Sequence, residues 1–169
     1  MINKAYVLKM SRYNAWQNKQ IIDVVKVMDE EELRLKRGAF FDSILGTLNH
    51  LLWGDAIWMS RWSDQVATPD KSIAQSIEFT STSENWVSER LSMDGCILNW
   101  AKDLTNVELQ GDLNWFSGAL QKEVTRKKEL CVMHMFNHQA HQRGQVHAML
   151  TAAGQDGATS DLFILPEDF

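Results

Sequence analysis

The chain has 169 residues, enough for one domain with a sizeable core, read here as residues 1–169, and too few for two large ones. Apolar residues make up 44% and charged residues 23%, with only two prolines and nine glycines, which excludes collagen-like, proline-rich and linker-like chains. A net charge of −5 leaves no basic excess to release counterions from nucleic acid, and two cysteines are too few for a disulfide framework.

The opening residues lack a basic segment followed by an uninterrupted apolar run, so no secretory signal is read there. No stretch approaches the ~18 apolar residues of a membrane span, and the longest, 48–59, is broken by Asn49, His50, Gly54 and Asp55. A cytoplasmic protein without nucleic-acid or membrane partners is the expectation. Cys96 and Cys131 are expected as buried, reduced thiols.

Leu8, Tyr13, Trp16, Ile22, Val25 and Met28 recur at helical intervals and predict a first helix over 3–28. The acidic tract Asp29-Glu30-Glu31-Glu32 predicts a solvated turn or a short helical turn. A second helix is predicted over 41–62, with Asp42 or Ser43 near its start. Ile44, Leu45, Leu48, Leu51, Leu52 and Trp53 make it apolar on most faces, the mark of a buried helix. Residues 63–81 are polar, contain Pro69, and predict a long connection with little regular structure. Trp86, Met93, Ile97 and Trp100 place a third helix over 83–104. Between 108 and 124 the pattern changes around Trp115-Phe116-Ser117-Gly118, and a short β-hairpin or an irregular crossover is expected. A fourth helix over 125–153 stops at Gly154, and the tail through 161–166 is expected to pack across the helices as an extended segment. The fold class is therefore all-α: a four-helix bundle, antiparallel or crossover, with the long connection between its second and third helices. The seven tryptophans are assigned to core packing, with Trp53, close to His50, as the exception.

Four of the five histidines lie on the fourth helix. At about 100° per residue, His134, His138, His141, Gln142 and Gln145 share one face bordering the apolar sector, while His147 points to the opposite side. Side chains at i and i+4 are neighbours, so His134/His138 and His138/Gln142 can each address one ion. One helix supplies two ligands at best, and the remaining histidine, His50, lies on the buried second helix. Gly46 and Gly54, four residues to either side, would leave a pocket beside its imidazole. Two or three neutral ligands with an open position is the layout of a catalytic rather than a structural metal site, and imidazole suits zinc and nickel as well as iron and copper. The alternative for each histidine is a core side chain hydrogen-bonded to a backbone or amide partner. It is preferred for His147 and set evenly against a supporting role for His141. Arg143 points away from the histidine face and is expected to be exposed and salt-bridged.

Three blocks carry a family resemblance. They are Arg12-Tyr13-Asn14-Ala15-Trp16-Gln17-Asn18, the stretch from Arg37 through Asn49-His50-Leu51-Leu52-Trp53-Gly54-Asp55, and Phe136-Asn137-His138-Gln139-Ala140-His141-Gln142-Arg143-Gly144-Gln145. Over nearly its whole length the chain resembles the DinB (DNA-damage-inducible, YfiT-like) family of four-helix-bundle proteins. The resemblance implies a three-histidine metal site, one ligand from the second helix and two at i and i+4 on the last. By position these are His50, His138 and residue 142, which is Gln142 here. Glutamine can ligate through its amide oxygen, but it is a harder and more weakly basic donor than imidazole. Gln142 binding weakly, His134 replacing it, or poor metal retention are the three outcomes, with an altered His50/His138 site ranked first.

The resemblance further implies a homodimer and two competing functions. One is a metal-dependent enzyme, either a hydrolase or a transferase or isomerase using a low-molecular-weight thiol, acting on a small-molecule substrate with divalent zinc or nickel. The metal would lower the pKa of a thiol or water, with His141 or His134 as a nearby general base. The other is a non-catalytic stress-response or small-ligand-binding module that has lost its metal and keeps the pocket beside Gly46, Gly54 and Trp53. DNA binding has little support, because the chain is acidic and its basic residues cluster only at Arg126-Lys127-Lys128.

Overall fold

The structure, a computed structural model, describes residues 2–169. Helix α1 (Lys4–Val25) starts at Asn3, whose side chain accepts from the Tyr6 amide and satisfies one of the orphan donors of the first turn. The acidic tract forms a short helix, α2 (Glu30–Arg34). Helix α3 (Ile44–Trp62) is capped by Ser43, which accepts from the Gly46 amide. The polar connection holds one 3₁₀ segment, Ile73–Glu78, and Thr82 then caps α4 (Ser83–Asp103). Strands β1 (Asp112–Ser117) and β2 (Lys122–Lys127) pair as an antiparallel hairpin, with Trp115 opposite Val124. Strand β2 runs directly into α5 (Lys128–Ala152), and Gly154 follows at a positive φ of 76°.

The chain is thus mainly helical with one small sheet, as its periodicity predicts. Helices α1 and α3 each pack on both α4 and α5. Two apolar clusters fill the interior. One joins Ile22, Leu48, Trp86 and Val146; the other joins Val7, Met59, Ile97 and Phe136. The order in which each helix visits the clusters gives its direction: α1 and α5 run one way, α3 and α4 the other. Two parallel neighbours cannot be joined by a tight turn. Residues 63–82 therefore travel back along α3, pinned by Trp53 Nε1 donating to the Lys71 carbonyl (2.8 Å) and Asn49 Nδ2 donating to the Ile77 carbonyl (3.0 Å).

Between the two clusters lies a buried polar layer drawing on all four long helices. Arg90 Nη1 donates to Asp55 (2.6 Å) and its Nη2 pairs with Asp94 (2.8 Å). Asn18 donates to Asp94 (2.8 Å), Gln139 Nε2 donates to Asp55 Oδ1 (2.8 Å), and Arg143 donates to Asn14. Arg143 is 5% exposed, which corrects the surface assignment: its helical direction leads away from the histidines but into the α1 interface. Burial pushes the Asp94 carboxyl up to about 6 against the pull of Arg90, and burial lowers Arg143 to about 10.

The tail is held on α1 by Tyr13 Oη donating to the Ser160 carbonyl and by the Thr159 amide donating to Gln20. It includes a short 3₁₀ turn, Leu162–Ile164, where an extended segment is expected from the sequence. His147 lies against Gly157 at the base of that tail. Cys131 is buried, Cys96 is half-buried, and both are free thiols. No helix among the described residues is long and apolar enough to cross a membrane.

Candidate functional site

His50 and His138 meet across the α3–α5 contact, with their Nε2 atoms 3.2 Å apart. Each ring is held by its surroundings. His50, 6% exposed, stacks on Phe41 with centroids 3.7 Å apart. Its Nδ1 lies 2.8 Å from Ser76 Oγ. The Ser76 hydroxyl donates its own proton to the Ile73 carbonyl (2.6 Å), so Ser76 accepts from His50 Nδ1–H. That assigns the tautomer and leaves the Nε2 lone pair aimed at His138. Burial and the neighbouring His138 lower His50 to about 4, and burial also lowers His138, so both rings are neutral at pH 7.

Helix α3 supplies the room for this meeting. A Cβ on Gly54 would stand 3.0 Å from His138 Cε1, and one on Gly46 would stand 2.5 Å from the Phe41 carbonyl oxygen. The two glycines therefore make room for neighbouring groups, and Gly54 also lines a cleft beside His50. One admits the partner imidazole and the other admits the backbone that carries the stacking ring.

Gln142 extends from the next turn of α5, its amide nitrogen 3.4 Å from His138 Nε2. Its Oε1 is buried without a hydrogen-bond partner. Exchanging the amide O and N by a half-turn of the side-chain amide would bring that oxygen toward the histidine pair. Two imidazole nitrogens on one tetrahedral ion at the usual zinc–nitrogen length stand about 3.3 Å apart, close to the spacing seen here. Among the described residues no group of three or more His, Cys, Asp or Glu is placed to hold a metal ion.

The remaining sequence candidates separate. His134 sits beside His138, ring centroids 6.1 Å apart, and packs edge-on against Trp58 at 5.3 Å. Burial, with the Arg61 charge, lowers its pKa. His141 is exposed, pairs with the Gln145 amide at 2.8 Å, and does not line the cleft. A cleft of about 1070 Å³ opens from the histidine pair between α3, the connection and the hairpin, and His50, His134 and His138 all line it. Trp58 and Trp115 line it too, beside Trp53, so these two belong to the cleft wall, and Trp58 also packs on the apolar cluster around Met59. Ser76 and Asn49 escaped the sequence reading. Asn49 Oδ1 accepts from the Thr80 amide (3.0 Å) and fixes the loop that presents Ser76 to His50. The adjacency Asn49-His50 carried that signal, but Ser76 lies in a segment with no periodicity.

A profile of the DinB family matches residues 1–167. The chain belongs to the DinB family. It is 28% identical over 161 residues to a protein described as "Protein DinB" from Bacillus subtilis (strain 168), covering 92% of this chain and 91% of that one. Within this DinB chain, the blocks that carried the resemblance include the α3 turn around His50 and the α5 turn around His138, which the fold brings into contact.

Proposed function

We propose that this DinB protein is a metal-dependent enzyme, a single four-helix-bundle domain over residues 1–169. Its divalent ion, zinc or nickel, would be held by His50 and His138 with Gln142 as an altered third ligand. The observation that carries this reading is the facing Nε2 pair at 3.2 Å, with the unpartnered Gln142 oxygen one turn away. With the His50 proton committed to Ser76, a hydrogen bond between the rings accounts for the contact only if His138 carries its proton on Nε2. A shared cation accounts for it and also gives the Gln142 oxygen a partner.

When bound, such an ion would lower the pKa of a thiol or water and yield a nucleophile near neutral pH, the chemistry of a hydrolase or a thiol-dependent transferase. The chain's own residues would do the rest. Ser76 orients His50, Gly54 sets the approach of His138, and the tryptophan-walled cleft excludes water from a small-molecule substrate. His134 is better placed than His141 to act as general base, because it is neutral and opens on the cleft.

The competing reading, a ligand-binding module without metal, draws on the absence of a third histidine or carboxylate among the described residues. Protein purified without a histidine tag and titrated with zinc and nickel separates the two. The enzyme reading expects one ion per chain and, at saturating metal, a rise in Tm of about 5–10 °C. Absence of uptake and of stabilisation by either ion would sink it. Gln142→His is expected to raise zinc affinity about tenfold or more, since imidazole is the better donor. Unchanged affinity would show that position 142 does not face the ion.

A further inference from the structure

The cleft has a charge pattern opposite to that of the chain. The protein carries −5 overall, yet no Asp or Glu lines the cleft, and its charged lining groups are Arg61, Lys71 and Arg126. Two of these are already engaged. Lys71 Nζ donates to the Glu78 and Phe79 carbonyls, and Arg126 Nη1 donates to the Thr125 carbonyl. Arg61 has no hydrogen bond or ion pair among the described residues. Its guanidinium lies instead over Trp58, 4.4 Å from the ring centroid, with Trp115 at 5.2 Å. Trp58 in turn touches His134, whose ring neighbours His138. One unpaired cation, half-buried between two indoles, thus stands in the same cleft as the histidine pair. The rest of the lining includes the apolar side chains of Phe116, Leu120, Val124 and Leu130.

We infer that the cleft takes an aromatic or comparably flat apolar carboxylate, its anionic end on Arg61 beside the edge-to-face pair Trp58 and Trp115 and its body along the apolar lining of Phe116, Leu120, Val124 and Leu130. A planar guanidinium fork matches a carboxylate, and stacking on indole holds the fork in place before the ligand arrives. One free cation suits a monoanion. A phosphate dianion would call on Lys71 and Arg126 as well, and Lys71 already donates to the Glu78 and Phe79 carbonyls. As a substrate class this rests on the metal-enzyme reading above; as a ligand class it stands on the cleft alone.

The test uses metal-free protein, so that no ion contributes to anion binding, and follows tryptophan quenching and calorimetry. The probes are 1-naphthoate, its neutral isostere 1-naphthamide, and 1-naphthyl phosphate. Naphthoate is expected to bind about tenfold or more tightly than the amide, the usual margin for a charge-assisted bond. Arg61→Met, which keeps much of the stem over Trp58, should erase that margin, and Arg61→Lys should restore part of it. Equal affinity for naphthoate and naphthamide in the unmodified protein overturns the proposal. So does tighter binding of the phosphate, or a preference that survives Arg61→Met. Zinc titration of the same preparations keeps the two readings apart. Carboxylate selectivity without zinc uptake removes the metal centre and leaves the cleft assignment standing, whereas zinc uptake without selectivity does the reverse.

Discussion

His50 is the residue in which most of the site's chemistry is decided. Its Nδ1–H is committed to Ser76, so its Nε2 is a permanent acceptor facing His138. Outer partners of this kind orient a ligand and raise its basicity. Ser76→Ala is therefore expected to weaken zinc binding about tenfold to a hundredfold at unchanged stoichiometry, read by competition with a chelator. The same burial gives a pH signature in metal-free protein. His50 has a folded pKa of about 4 against 6.5 for the free side chain, so the unfolded chain binds the extra proton first. Its contribution is fully present above pH 6.5 and is lost as pH falls through 4, on the order of 3 kcal/mol. Asp94 works in the opposite sense: its carboxyl is raised to about 6, so its contribution is present at low pH and lost as pH rises through 6. Comparing the protein with His50→Gln cancels the Asp94 part. Denaturant titrations from pH 7 to pH 4 should show the variant losing less stability on acidification. Parallel losses would mean that His50 is not neutral when folded.

At the scale of helices, α3 and α5 form the site by approaching closely, and Gly54 is what permits it. Gly54→Ala should separate two properties that usually move together. An alanine adds helix propensity, about 1 kcal/mol in an exposed helix, while its Cβ forces the His138 ring aside by a few tenths of an ångström. The expected outcome is stability within about 1 kcal/mol of the parent with zinc affinity clearly reduced. Unchanged affinity would show that the 3.2 Å spacing is not what the ion requires. Much of this level was legible in the sequence. The long helices follow from apolar periodicity, the cap at Ser43 is one of two candidates by residue type, and the hairpin is one of two readings of the break in pattern around Ser117-Gly118. Ser76 was not legible, because a 3₁₀ turn in a polar connection has no hydrophobic repeat, and its position depends on Asn49 twenty-seven residues earlier holding the loop. Nor were the roles of Trp58 and Trp115. Helical spacing tells which side of its own helix a tryptophan occupies, and only the hairpin's placement makes that side a cleft wall.

For the molecule as a whole, the distinctive element is the polar layer between two apolar clusters. The sequence marked Asn14, Asp55 and Arg143 within the family blocks but assigned them no partners, since a network spanning four helices has no local signature. Arg90 is fully buried between Asp55 and Asp94. Arg90→Met leaves both carboxylates without their cation and is expected to cost about 3–5 kcal/mol, lowering Tm by roughly 10 °C. A loss below about 1 kcal/mol would mean that the layer is wet or rearranges, because a dry unpaired carboxylate cannot be that cheap. The layer also constrains how this site can change. Asp55 follows Gly54 and Gln139 follows His138, so the bond between them fixes the two histidine-bearing helices at one separation. Substitutions at those positions would loosen the core along with the site. Position 142 is tied in less firmly: its amide nitrogen lies 3.4 Å from His138 Nε2, and its oxygen has no hydrogen-bond partner. If the site takes an ion as proposed above, position 142 is where its preference can drift with little cost to the architecture, and it is where this chain differs from the three-histidine pattern.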